Sequence, residues 1–287
     1  MIRALWRHAR LLPESMTSLR DPRFSPLRSQ CPSAAQVESR RYCEWLEIIR
    51  ESNAYHRKVW EWCYILEALR ESECFEPGRR ALGFGVGREP IVAAVAARGV
   101  HVQATDQPAT NAEAWTVTNQ FSDSLDGLRN DGICDPATFA SNVSFRPVDM
   151  TEIPPDLRDF DMLWSSCCLE HLGSPQKGLD FVLDSLDCLR PGGVAVHTTE
   201  FETRPGRDAP AEVHGHSTVI YRRRDIEALI LRLRRDGHHI RANFRVSRRA
   251  PQDRFIDKPP YQHDPHLRVQ IDDVVATSFG LLIVKKR

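Results

Sequence analysis

The run Arg80-Ala-Leu-Gly-Phe-Gly-Val-Gly-Arg-Glu-Pro90 decides the fold. A short apolar strand enters a glycine turn and then a helix whose first turn holds Pro90. Glycines there let the backbone approach a ligand and adopt dihedrals that other residues resist. The following helix aims free N–H groups and its positive dipole end at the turn, so an anionic group is expected there. A second strand, Val102-Gln-Ala-Thr-Asp106, ends in a carboxylate placed to accept hydrogen bonds from ribose hydroxyls. The pair predicts a ligand that contains a nucleoside.

Glycine spacing narrows the choice. A dinucleotide fingerprint needs a third glycine, and from Gly83 and Gly85 the required positions are Arg88 and Pro90. A Walker loop would close on Gly-Lys-Ser/Thr, and no such string occurs. A Gly-x-Gly turn suits a cofactor with a small carboxylate end and no pyrophosphate, and S-adenosylmethionine fits. Val143-Ser-Phe-Arg-Pro-Val-Asp149-Met150 predicts a third strand, its acid and methionine placed for an adenine amino group and ring face. Asp159 to Ser166 is a fourth strand, followed by Cys167-Cys-Leu-Glu-His171. A helix carrying Leu179, Val182, Leu183, Leu186 and Leu189 on one face is expected to stop at Pro191-Gly-Gly193. Val194 to Thr199 is a buried fifth strand. The alternation predicts a doubly wound α/β fold with a mostly parallel sheet and the ligand at the strands' carboxyl ends.

From about Arg79 onward the chain resembles the class I S-adenosylmethionine-dependent methyltransferases. More narrowly it is similar to a bacterial small-molecule or sugar methyltransferase-like group. The strings that carry this stand at Gly83–Pro90, Ser165–Ser174 and Val196–Phe201. They continue through Tyr221–Asp225, Asp257–Tyr261, His266-Leu267 and Thr277–Leu281. The resemblance implies a seven-stranded Rossmann-like sheet with an antiparallel last strand, an N-terminal helical segment covering the cofactor, and S-adenosylmethionine leaving as S-adenosylhomocysteine. Cofactor-binding positions are then Gly83, Gly85, Gly87, Glu89, Asp106, Asp149, Met150 and Ser166. Two departures stand out: Gly83 replaces the acid that usually ends the first strand, and Glu89 replaces the last glycine of the turn. Glu89 either supplies the missing carboxylate to the methionine end or caps the helix.

The implied chemistry is in-line attack on a sulfonium methyl, in which positioning and exclusion of water do most of the work. A hydroxyl acceptor also wants a general base. Candidates follow strands four and five: His171 first, because imidazole titrates near neutrality, then Glu200, with His197 and Glu170 behind. For His197 the competing reading is a hydrogen-bonded core histidine on a buried strand, and for Glu170 a helix cap. No metal is expected. A rival shell of His197, Glu200, His214, His216, Asp257 and His266 is scattered and lacks a His-x-x-x-His pair. The acceptor is expected to be a small or sugar-like hydroxyl compound. Cyclisation, aminocarboxypropyl transfer and a non-catalytic binding subunit are the alternatives.

Composition agrees with an enzyme that binds no polyanion or membrane. The 287 residues include 39 lysines plus arginines against 39 acids, and 41% are apolar. No apolar run approaches membrane-spanning length. Eight cysteines without Cys-x-x-Cys spacing predict reduced thiols and a cytoplasmic protein, with Cys167 and Cys168 either packing or lining the site. Residues 1–33, basic, acid-poor and proline-rich, are expected to form an arm. Residues 34–75 are expected to form a helical cap segment, with Trp45, Trp60 and Trp62 as packing surface. Residues 76–287 are expected to be the catalytic domain, with 119–140 as a candidate lid and 240–246 and 278–285 as its last strands. Oligomeric state is left open.

Overall fold

The computed structural model describes residues 24–108, 122, 124–204, 212–214 and 218–287. The chain opens with β1 (Ser29–Gln30) and three helices, α1 (Ala34–Val37), α2 (Arg40–Ile49) and α3 (Arg57–Glu71). Alternation starts with β2 (Arg80–Phe84), α4 (Ile91–Ala96) and β3 (His101–Asp106). It continues through α5 (Pro136–Asn142), β4 (Val143–Pro147), β5 (Phe160–Ser166), α6 (Pro175–Ser185) and β6 (Leu189–Glu202). A hairpin of β7 (Glu212–His214) and β8 (Thr218–Ile220) leads to α7 (Arg223–Arg235). The chain closes through β9 (His239–Ile240), β10 (Ala242–Asn243), α8 (Pro251–Arg254), β11 (Val269–Ile271) and β12 (Val274–Val284).

Strands lie in the order β4-β3-β2-β5-β6-β12. The first five pair in parallel, and β12 runs antiparallel to β6. With β9 on β12, these make the expected seven, the last strand reversed. Strands β1, β10 and β11 extend the sheet beyond that set.

Side-chain alternation sorts each strand between two cores. Ala81, Met162, Trp164, Val194 and Val196 face the core built with α1 to α5. Leu82, Phe84, Leu163 and Ala195 face the core built with α6 and α7. Residues pointing both ways are apolar, as a sheet covered on both faces requires. Helix α3 is not a loose cover. Trp60, Tyr64, Ile65 and Leu69 are fully buried on the sheet, and Gly280 of β12 leaves the space that the Tyr64 ring fills.

Several local expectations need correction. The strand expected over 240–246 is reduced to β9 and β10. Asn243 Oδ1 accepts the Arg245 N–H at 3.1 Å, a side-chain turn that breaks the extended run. Leu189, expected at the end of a helix, starts β6 after α6 tightens into a 3₁₀ turn at Leu186–Cys188. Pro90 is the N-cap of α4, one residue outside the helix. The first 23 residues of the expected arm lie outside the described residues, but Phe24 and Leu27 pack into the first core and Ser29–Gln30 join the sheet. Residues 119–121 and 123 of the candidate lid also lie outside them; of its remainder, Asp126–Leu128 form a 3₁₀ turn and Pro136–Ala140 begin α5. Among the described residues, no helix is long and apolar enough to cross a membrane.

Candidate functional site

A cavity of about 390 Å³ opens at the carboxyl ends of β2, β3 and β5, a size suited to one small ligand. Its floor is the glycine turn. Gly85 and Gly87 have φ of +55° and +50°, the left-handed region. A Cβ on Gly85 would lie 2.6 Å from the Cys168 sulfur, so an alanine would have to displace that side chain and also hold a φ that side chains resist. Asp106, at the end of β3, ties the turn down. Its carboxylate accepts N–H bonds from Gly87 (3.0 Å), Gln107 (2.8 Å) and Ser122 (3.4 Å). Burial raises the Asp106 carboxyl, and those backbone donors pull it back.

After β4, Asp149 and Met150 form a second wall. The Asp149 Oδ1 accepts from the Thr151 N–H (2.8 Å) and hydroxyl (2.7 Å), which orients the carboxylate. Ser166 ends β5, and Cys167, Cys168 and His171 follow it along the cavity. Burial raises both thiols well above their usual range, so they stand as neutral lining. Cys167 itself sits at φ +49°. All eight cysteines are free.

The remaining wall comes from α3. His56 Nδ1 caps this helix by accepting the Lys58 N–H at 3.2 Å, which starts the helix beside the cavity. Lys58 and Trp62 line the site. The Lys58 ammonium lies 2.8 Å from Glu89 Oε1 and 3.3 Å from Ser166 Oγ. Burial opposes its charge, yet the Glu89 carboxylate first, with Glu61, holds its proton well above the ordinary lysine range. The other Glu89 oxygen, Oε2, is buried without a hydrogen-bond partner.

Behind this wall lies a second ionic layer. Arg57 pairs with Glu200 at 2.5 Å and approaches Glu61 at 3.7 Å. Glu61, fully buried, accepts from Thr198 Oγ1 (3.0 Å) and from the Ser278 hydroxyl. Glu170 accepts from Thr199 Oγ1 at 3.2 Å, while its second oxygen is buried and unpartnered. Burial first, and the charge of Glu200 second, push the Glu170 carboxyl up to about 8.

The expected site residues therefore divide. Gly85, Gly87, Glu89, Asp106, Asp149, Met150, Ser166 and His171 meet around one cavity. Gly83 does not reach it. It lies inside β2, where a Cβ would stand 2.5 Å from Val86 Cγ1 and 2.7 Å from the Trp164 ring, so its small size serves packing. Glu170 and Glu200 sit in the ionic layer rather than the cavity lining. His197 is a core residue: it is fully buried, 2.8 Å from Ser165 Oγ, with Phe181 edge-on to its ring. Burial lowers its imidazole to about 3. His171 is lowered to about 4, by burial and then by Lys58 and Arg57, so its ring is neutral at neutral pH.

Among the described members of the rival metal shell, only Asp257 and His266 meet, at 2.6 Å. The side chains of His214 and His216 lie outside the described residues. Trp45 and Trp60 are core, as expected of packing surface, whereas Trp62 lines the cavity. Sequence reasoning missed Arg57, Lys58 and Glu61. The available signal was three ionisable residues interleaved with Val59, Trp60 and Trp62 on one short helical stretch.

No family model and no curated protein matches the chain. Similar solved structures include the CcbJ methyltransferase from Streptomyces caelestis, at 19% identity over 46% of this chain and 50% of that one, with a TM-score of 0.35. This chain thus spans about half the length of that protein. The [4+2]-cyclase SpnF is 17% identical over 76% of this chain and 81% of its own, with a TM-score of 0.47. The magnesium protoporphyrin IX methyltransferase ChlM from Synechocystis PCC 6803, with bound SAH, is 10% identical over 77% and 80%, with a TM-score of 0.46. By its strand order and its reversed last strand, the chain has a Rossmann-like α/β methyltransferase fold.

Proposed function

We propose that the chain is an S-adenosylmethionine-dependent methyltransferase acting on a hydroxyl of a small or sugar-like acceptor. The observation that carries this reading is a left-handed glycine turn meeting carboxylates from Glu89, Asp106 and Asp149 around one cavity. These residues fit the cofactor's parts. The unpartnered buried Oε2 of Glu89 suits an ammonium, and Lys58 beside it suits a carboxylate, so the pair matches an amino-acid zwitterion. Asp106 keeps about one of a carboxylate's four lone-pair directions free for a ribose hydroxyl. Asp149 and Met150 suit the amino edge and face of adenine.

When bound, S-adenosylmethionine supplies a methyl group already activated on a positively charged sulfur. The protein's part is placement and proton transfer. His171 is the one of the four catalytic candidates that lines the cavity. Its ring, lowered to about 4 by burial and then by Lys58 and Arg57, is neutral at neutral pH and in the protonation state that takes up the acceptor's proton. That low value makes it a weak resting base, effective as the hydroxyl proton becomes acidic during bond formation. The Arg57–Glu200 pair fixes the wall behind it; burial raises the Glu200 carboxyl, and the Arg57 charge pulls it back. Incubation with S-adenosylmethionine and a panel of hydroxylated acceptors tests the reading, with S-adenosylhomocysteine and a methylated acceptor as the products. Methylthioadenosine as the nucleoside product would overturn it in favour of another use of the same cofactor.

A further inference from the structure

Three histidines from two distant segments converge outside the cavity. His56 is the N-cap of α3; His263 and His266 come from the long segment between α8 and β11. One ligand nitrogen from each ring lies within 4.8 Å of the other two. The His56 and His266 rings stack at 4.5 Å, and the His263 ring is 5.1 Å from that of His266. The backbone builds this arrangement, because Arg57 N donates to His266 O (3.2 Å) and His266 N donates to Tyr55 O (2.6 Å).

One carboxylate organises the cluster. Asp257, 1% exposed, accepts from His266 Nδ1 at 2.6 Å and from the backbone N–H groups of Gln262 (3.0 Å) and His263 (2.9 Å). With its proton on Nδ1, His266 keeps the lone pair of Nε2 for a ligand. This is the carboxylate–histidine arrangement that sets the tautomer of metal-ligating histidines. His263 is exposed, leaving a side open to a further ligand.

We propose that His56, His263 and His266 form a binding site for a borderline divalent transition metal of the zinc, cobalt or nickel kind, oriented by Asp257, with a fourth position open to water or an oxygen ligand. An all-imidazole donor set selects this class over magnesium or calcium. Binding through His56 Nε2 places the ring proton on Nδ1 and gives up the Lys58 N–H contact. Metal binding therefore bears on the start of α3, two residues before the lysine that faces Glu89. The site stands independently of the methyl-transfer reading.

Titration of the chelator-treated full chain with Co²⁺ alone tests it. The expected result is one ion per chain, with visible d–d absorption of a nitrogen- and oxygen-ligated centre and no thiolate charge-transfer band. Two variants keep the fold: His263→Asn tolerates the φ of +66° at that position, and His56→Asn retains a capping side chain. Each should abolish the spectrum, and Asp257→Asn should weaken affinity about 10- to 100-fold. Absence of stoichiometric binding, a thiolate band, or binding that survives both folded histidine variants would overturn the site.

Discussion

Replacing Asp106 with alanine probes the pocket where its local geometry and its proposed ligand meet. Backbone N–H groups of Gly87, Gln107 and Ser122 already occupy three directions around the carboxylate. A carboxylate offers about four, so about one is left for a ribose hydroxyl. A hydrogen bond to a charged group contributes about 1.5–3 kcal/mol, which converts to a loss of about 10- to 150-fold in affinity. Loss of the three backbone bonds also loosens the glycine turn, so a thermal melt should accompany the binding data. Titration calorimetry with S-adenosylhomocysteine measures the total effect. Repeating it with the analogue lacking both ribose hydroxyls separates the two contributions, because only the ribose contact disappears with those hydroxyls. Affinity within twofold of the parent, or an equal loss for both ligands, would refute the ribose role of Asp106.

Other substitutions test separate links. Gly85→Ala places a methyl 2.6 Å from the Cys168 sulfur at a φ of +55°, so S-adenosylhomocysteine binding should be lost while the melting transition persists. Glu170 holds its proton in the folded chain up to about 8 but releases it near the ordinary 4.5 when unfolded. The folded state therefore binds more protons between those values, and stability falls as pH rises through them. Glu170→Gln should remove that fall in denaturant titrations across the window; an unchanged pH dependence would show that Glu170 ionises normally. For His197 the sign reverses, because its folded value of about 3 lies below the ordinary 6.5, so stability falls as pH drops through that window. His197→Ala should flatten that loss, strand the Ser165 hydroxyl at a cost of about 1–3 kcal/mol, and leave S-adenosylhomocysteine affinity unchanged.

The parts of the site legible in sequence are those written locally. Gly85 and Gly87 follow an apolar strand, Asp106 ends the next and Asp149 follows the one after, so chain order alone places them at one sheet edge. Residues whose role depends on distant partners were not legible. Lys58 and Arg57 look like the solvated face of a helix until Glu89 and Glu200 arrive from other strand ends. His197 follows a similar logic. On a strand covered from both sides, alternation cannot distinguish a core histidine from one facing a ligand, and only Ser165 and Phe181 decide it. His56 and His266 lie more than two hundred residues apart, and only the backbone bridge between them brings the rings together. The shortened strand after β9 turned on one asparagine side chain, a detail that apolar periodicity does not carry.

The most direct test is a crystal of the intact chain soaked with S-adenosylhomocysteine. Difference density is expected in the cavity, with ribose at Asp106, adenine between Asp149 and Met150, and the amino-acid end at Lys58 and Glu89. An unfilled cavity at saturating ligand, or a ligand turned so that its adenine meets Glu89, would contradict it.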